Sequence, residues 1–418
     1  MSSSSLYDQR KQFYLTVSPT MRGGLFFCVL MGIIAFVGGM AAGEFTRTWG
    51  SFLFNLFFFF AIALGGIAFA GMQDVIGAKW GRPMMRLHES FASFLPLAAL
   101  CFVVFFLCIK LNLLGAGKVY SWIADPDVIH GFWGKEDWLI PEFMLGRDVV
   151  ALGLILYFAF WQLGHKVRRD VSFVQSEKGL DLVAKEGAAV QAKLRYWSAP
   201  VLVVYAICFS LLTFDLTMSL APTWFSTLWG GWAFAAMMQT TMASILVFMF
   251  VMKDSRVGYL FRQQNFHDVG KLMHGFTIFF AYLTYAHIIT YWYGNVPEET
   301  EYFLHRLHDP WLKIVIAVPF LVFLFPLFAL IPKVSKWTAA ITLPICAVIL
   351  FSQWLVSLLV VIPQVVDGKT WGVPWIEVGL FLGFLGAFLS TILWFGKRYP
   401  MVGVGDPLLA EAMAHSHH

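Results

Sequence analysis

Long apolar runs separated by short polar segments govern the pattern of this chain. Ten of them are long enough to cross roughly 30 Å of hydrocarbon as helices. They lie near 23–43, 51–76, 90–109, 148–165, 198–216, 231–252, 272–293, 312–331, 337–362 and 375–395. This pattern predicts an all-α polytopic membrane domain over 23–396, with a polar N-terminal tail, 1–22, and a C-terminal tail, 397–418. No small-residue cleavage site follows the first run, so it is expected to stay in place as a helix and not to act as a signal peptide.

Composition strengthens this reading. The 418 residues are 59% hydrophobic and 13% charged, against about 25% charged residues in soluble domains. The net charge of +4 is small, and the basic residues sit in loops between apolar runs, which argues against nucleic acid as a partner. Cys28, Cys101, Cys108, Cys208 and Cys346 all fall inside apolar segments, with no CxxC or CxxCH spacing. They read as small core residues, with neither iron–sulfur ligation nor covalent haem attachment. The histidines near the end of the chain, in AHSHH (414–418), read as a solvated tail and not as a metal site.

The charge distribution predicts orientation. If the N-terminus is cytoplasmic, the inner segments hold 21 of the 29 Lys and Arg residues and the outer ones 8, as the positive-inside rule requires. Both termini are then cytoplasmic. The larger outer segments are 110–147 and the stretch YWYGNVPEETEYFLHR (291–306). In the latter, the aromatics at 291–293 are expected to anchor the seventh span at the interface. Gly294, Asn295 and Pro297 are expected to end it. Glu298, Glu299 and Glu301 form a candidate docking edge for a basic partner face, with a contact weakened by salt.

Ionisable residues in or near the bilayer carry the candidate chemistry, because burying them is costly. Near the outer side lie Glu44, Asp215, His287 and Glu377. Near the inner side lie Asp74, His88, Glu89, His165 and His274. With an apolar middle between the groups, one reading is a pair of proton half-channels, since carboxylates and imidazoles are tunable by burial and neighbours. The other is that these residues reach the interface or cap neighbouring helices. His274 and Tyr285 share a helical face, whereas His287 points nearly opposite. His287 has no histidine partner at matching depth, which argues against haem b. No span looks broken at midplane, which argues against a helix-interrupted solute carrier.

Four blocks then carry a resemblance: IPEFMLGRDVVALGLILYFAFW (140–161), LRYWSAPVLVVYA (194–206), DLTMSLAPTWFSTLWG (215–230) and HDVGKLMHGFTIFFAYLTYAHIITYWYGNVPEETEYFLHR (267–306). In this order and spacing the chain resembles the NrfD/polysulfide-reductase membrane family, and more narrowly the F subunits of alternative complex III, a bacterial quinol:acceptor oxidoreductase. The resemblance implies two four-helix bundles with two flanking helices in a bacterial inner membrane. Its implied partners are a paralogous NrfD-like C subunit, periplasmic multihaem cytochrome c and iron–sulfur subunits, small membrane subunits and a terminal oxidase.

It further implies that c-type haems and iron–sulfur clusters reside in those partners and that no redox cofactor is bound by this chain. Quinol oxidation (menaquinol or ubiquinol) is then assigned chiefly to the C subunit, and the F subunit offers a scaffold with a candidate proton route. Here Asp74, His88, Glu89, His274, Tyr285, Glu44, Asp215, His287 and Glu377 are the proton-transfer candidates. The chain departs from the family pattern at Ala286–His287, where a Ser–Gln pair is expected, and at Leu216, where a tryptophan is expected. A histidine near the outer surface keeps an alternative open: a quinone head-group site formed by His287, Asp215 and Glu44, with one of them taking the quinol proton.

Overall fold

The computed structural model describes residues 13–130, 134–175, 180–255, 257–366, 368 and 371–414. Among these there are helices and no strands. Ten helices are long and apolar enough to cross a membrane, which makes this a multi-pass membrane protein. In chain order they are α1 Pro19–Ala41, α2 Phe45–Val75, α3 Arg82–Lys110, α4 Pro141–Gln175 and α5 Leu180–Leu216. They continue as α6 Trp229–Val251, α7 Gln263–Gly294, α8 Trp311–Ala329, α9 Ala339–Val365 and α10 Trp375–Arg398. Each contains or closely overlaps one of the ten expected apolar runs. The AHSHH histidines at 415, 417 and 418 and the polar residues 1–12 lie outside the described residues.

Local chemistry sets the helix boundaries. Ser18 caps α1 by accepting a hydrogen bond from the Met21 N–H (3.2 Å), and Pro19 opens the first turn, the position where a missing N–H costs nothing. In α3, residues Ser90–Phe94 tighten to 3-10 geometry just before Pro96, because proline cannot complete the α-helical bond to the preceding turn. Helix α8 carries a turn of π-helix at Phe320–Leu324, between Pro319 and Pro326. The helix nevertheless runs on through this turn as one span, Trp311–Ala329. α7 stops at Gly294, with Asn295 in the left-handed region (φ 46°), a helix-ending conformation that asparagine tolerates. Pro297 then starts a short helix, Pro297–Leu304.

Helix α2 is the centre of the molecule. It is apolar on all sides, packs against α1, α3, α4, α5, α6, α9 and α10, and has 89% of its apolar core buried. For α1 and α8 the figures are 17% and 11%, so most of their surface is left for lipid or partners. α1 is attached chiefly along α10, where Gly32 and Gly383 bring the two backbones together: a Cβ on Gly32 would stand 2.5 Å from the Gly383 Cα. Such close approach through small residues is how helices associate in lipid, where burial of apolar surface drives little.

The helices alternate in direction, which defines two ends. The Leu15 N–H donates to the Gly396 carbonyl (2.8 Å), so the chain enters α1 and leaves α10 at a common end, called the first end below. α1 finishes at the second end.

Candidate functional site

At the first end, α2, α3, α4 and the segment after α10 converge on a buried ion-pair network. Asp74 at the foot of α2 pairs with Arg82 (2.9 Å) and Lys166 (2.5 Å). Lys166 also holds Glu89 (2.5 Å), and Glu89 holds Arg86 (3.0 Å). Arg86 pairs with Asp170, which Arg169 also reaches (2.9 Å). Asp406 closes the network through Arg82 (3.1 Å) and Arg169 (3.6 Å).

No side chain of the eight is more than 4% exposed. Four acids meet four bases, so the network is electrically balanced, which is the condition under which buried charge is tolerated. Each carboxylate lies against at least one of the four cations.

The histidines of this half stand apart from the network's ion pairs. His88 donates through Nδ1 to the Gly66 carbonyl (2.9 Å) and packs on Phe69, and its Nε2 has no partner among the described residues. His165 bonds the Trp161 carbonyl and the Lys193 ammonium (2.9 Å). His274 is half-buried, its Nε2 unpartnered among the described residues, and Tyr285, three turns along α7, is exposed at the helix surface.

The second end is built from smaller groups. Arg47 bridges Glu377 (2.8 and 3.0 Å) and Glu44 (2.7 Å), and the Trp371 indole adds a bond to Glu377 (3.1 Å). Asp215 at the end of α5 is clamped by Arg147 through Nε (2.6 Å) and Nη2 (2.7 Å), and it accepts from the Trp138 indole (3.0 Å). Arg147 stacks on the Trp138 ring, 3.9 Å from its centroid, and donates to the Trp138 carbonyl (2.6 Å). Beside this clamp lies Asp148, fully buried, its carboxyl against that of Asp215 and neither oxygen receiving a hydrogen bond among the described residues. Here two acids share one base.

His287 is saturated. Its Nδ1 donates to the Leu283 carbonyl (3.0 Å), which leaves Nε2 to accept from the Ser226 hydroxyl (2.8 Å). Thus His287, Asp215 and Glu44, expected to share one head-group site, belong to three separate sets of contacts. The tyrosine–tryptophan head of the 291–306 stretch divides in a similar way. Trp292 and Tyr293 are 73% and 86% exposed, as interfacial anchors should be. Tyr291 turns inward and donates to the Phe225 carbonyl (2.6 Å). In the acidic part Glu301 is exposed and Glu299 half-buried, while the Glu298 side chain lies outside the described residues.

Arg306, next to this part, carries a buried guanidinium that, among the described residues, is bound by neutral carbonyl acceptors. It lies over Tyr302, 3.6 Å from the ring centroid, and takes the Leu359 carbonyl (2.8 Å), which has no helical N–H donor because Pro363 stands four residues on. Burial lowers the pKa of Arg306.

The expected apolar middle also needs correction. Gln353 donates to Gln239 (2.5 Å), Gln239 donates to Thr277 (3.0 Å), and the Trp354 indole donates to Asn55 (2.9 Å), all within the buried helix core. These neutral residues escape a search for ionisable groups.

The larger omission is Asp148 together with the basic members Arg47, Arg82, Arg86, Arg147, Lys166 and Arg169. A signal existed for Arg82, Arg86, Lys166 and Arg169. Arg82, Arg86 and Glu89 recur at helical spacing on one face, as do Lys166, Arg169 and Asp170, at the margins of apolar runs. Among the described residues no cluster of three or more His, Cys, Asp or Glu is arranged to hold a metal ion. Compared with models of known protein families and with curated proteins, the chain matches none.

Proposed function

We propose that this chain is an NrfD-like integral membrane subunit of a quinol-oxidising respiratory electron-transfer complex, of the alternative complex III type. It lies in a bacterial inner membrane with both termini cytoplasmic, as two four-helix bundles and two flanking helices. It scaffolds partner subunits that carry c-type haems and iron–sulfur clusters, and it handles protons without a redox cofactor of its own. The four ordered sequence blocks and the ten spans support the family reading. The observation that carries the proton-handling role is the unequal charge of the two ends: a balanced ion-pair lock at the first, and a surplus buried acid at the second. The test is proton release per electron during quinol oxidation by the assembled complex carrying Asp148→Asn. A lowered ratio at preserved turnover is expected, and an unchanged ratio leaves a scaffold alone.

A second reading is favoured by one feature. A groove of about 400 Å³ between α6, α7, α8 and α9 is lined by Trp232, Phe280, Tyr285, His287 and Arg306, an aromatic slot with a polar end of the kind a quinone head group occupies. A photoreactive quinone that labels α7 of this chain supports it. Labelling confined to a sister subunit removes it.

A further inference from the structure

Asp148 stands near the start of α4 with both carboxyl oxygens buried and, among the described residues, undonated. The groups around it cannot neutralise it. Asp215, its neighbour on α5, has already drawn the Arg147 Nε and Nη2 donors and the Trp138 indole. Arg147 spends a further N–H on the Trp138 carbonyl. Tyr120, a further titratable group facing the pair, gives its hydroxyl to the Leu216 carbonyl (3.1 Å). Two ionised carboxylates side by side, with one guanidinium beside them, would leave a net negative charge in a buried site. An isolated buried carboxylate without donors is among the costliest arrangements a protein can hold. One proton removes the surplus and turns the repulsive contact into a hydrogen bond from a carboxylic acid to a carboxylate. Paired carboxyl groups adopt this state because both cannot ionise at once.

We infer that Asp148 and Asp215 bind one proton in common, forming a buried proton-storing site at the second end. The donors from Arg147 and Trp138 all go to Asp215 and none to Asp148, which makes Asp148 the residue that carries the proton. Trp138, stacked on Arg147 and half exposed, covers the site. Lys135 holds this cover in place through bonds to the Pro222 and Trp224 carbonyls. Exchange of the proton with water at the second end therefore requires the Trp138 segment to part from Asp215. The network at the first end, by contrast, sets four acids against four bases.

This inference does not depend on the electron-transfer reading, and its test needs neither quinol nor partner subunits. The full-length chain in lipid nanodiscs is examined by infrared spectroscopy at mildly alkaline pH, where solvated carboxyls are ionised. Wild type is expected to show a carboxylic-acid C=O band that shifts on isotopic labelling of aspartate and is lost in Asp148→Asn. Asparagine has the shape of the neutral acid, so this variant is expected to melt close to wild type. Trp138→Ala is expected to speed replacement of the band's proton by deuterium.

If the wild-type chain shows no labelled-aspartate acid band, the inference is overturned whether or not any variant folds. A band that persists unchanged in Asp148→Asn overturns the assignment to this pair, and unchanged deuterium exchange in Trp138→Ala overturns the cover.

Discussion

Arg147 shows how much depends on one side chain. It supplies two of the three hydrogen bonds that Asp215 receives, so Arg147→Met leaves adjacent buried acids without a cation. Breaking a buried pair from one side costs roughly 3–5 kcal/mol. Arg147→Met is expected to lower the thermal midpoint of the purified chain sharply. Adding Asp215→Asn is expected to recover part of the loss, because the charge and its missing partner then leave together. A double variant no better than the single one would show that stacking on Trp138, and not charge, is what Arg147 contributes.

Asp215 was legible in the sequence because a lone carboxylate near the end of an apolar run stands out. Asp148 was not, because it follows an arginine at the margin of its run and resembles an ordinary helix start. Only packing shows that Arg147 turns to Asp215 and leaves its own neighbour unserved.

At the scale of elements, apolar run length found all ten spanning helices but shortened several of them. α4, α5 and α7 continue well beyond their apolar runs. In α4 the extension is polar and buried: Lys166, Arg169 and Asp170 meet charges from α2, α3 and the chain after α10. Hydropathy registers such turns as loop, since it counts charge and not pairing.

The α1–α10 contact offers a direct check on helix packing. Gly383→Ile forces a side chain into the Gly32 backbone and is expected to cost about 1–3 kcal/mol, read as a lower thermal midpoint. An unaltered midpoint would mean that α1 can detach without loss. The Trp138 segment gives a pH-dependent check. Burial lowers the Lys135 pKa to about 8, whereas an unfolded lysine keeps its proton to about pH 10.4. Between these values the unfolded chain binds more protons, so the lysine's contribution to stability rises with pH. The difference in thermal midpoint, wild type minus Lys135→Met, is expected to become more positive from about pH 8 to about pH 10. A difference that is flat over this range contradicts the burial of Lys135.

For the whole molecule, the two ends differ in kind. The first is locked by balanced charge that includes Asp406, from beyond the last spanning helix. The second holds an unbalanced acid pair and an exposed aromatic edge at Trp292 and Tyr293. The Lys/Arg asymmetry was visible in the sequence as a count, but its local balancing was not, because the partners lie far apart along the chain. Asp74 and Lys166 are an example. Lys166→Met is expected to strip Asp74 and Glu89 of their shared cation and destabilise the chain by roughly 3–5 kcal/mol; a neutral effect would mean that Arg82 and Arg86 suffice.

The central claim, membership of a quinol-oxidising complex, is tested most directly by purifying the tagged full-length chain from its native membrane in mild detergent and assaying quinol oxidation. The expected result is a stoichiometric assembly with covalently bound haem and iron–sulfur absorption in partner subunits, and quinol-dependent electron transfer. A homogeneous species without haem, iron or quinol oxidation would contradict it.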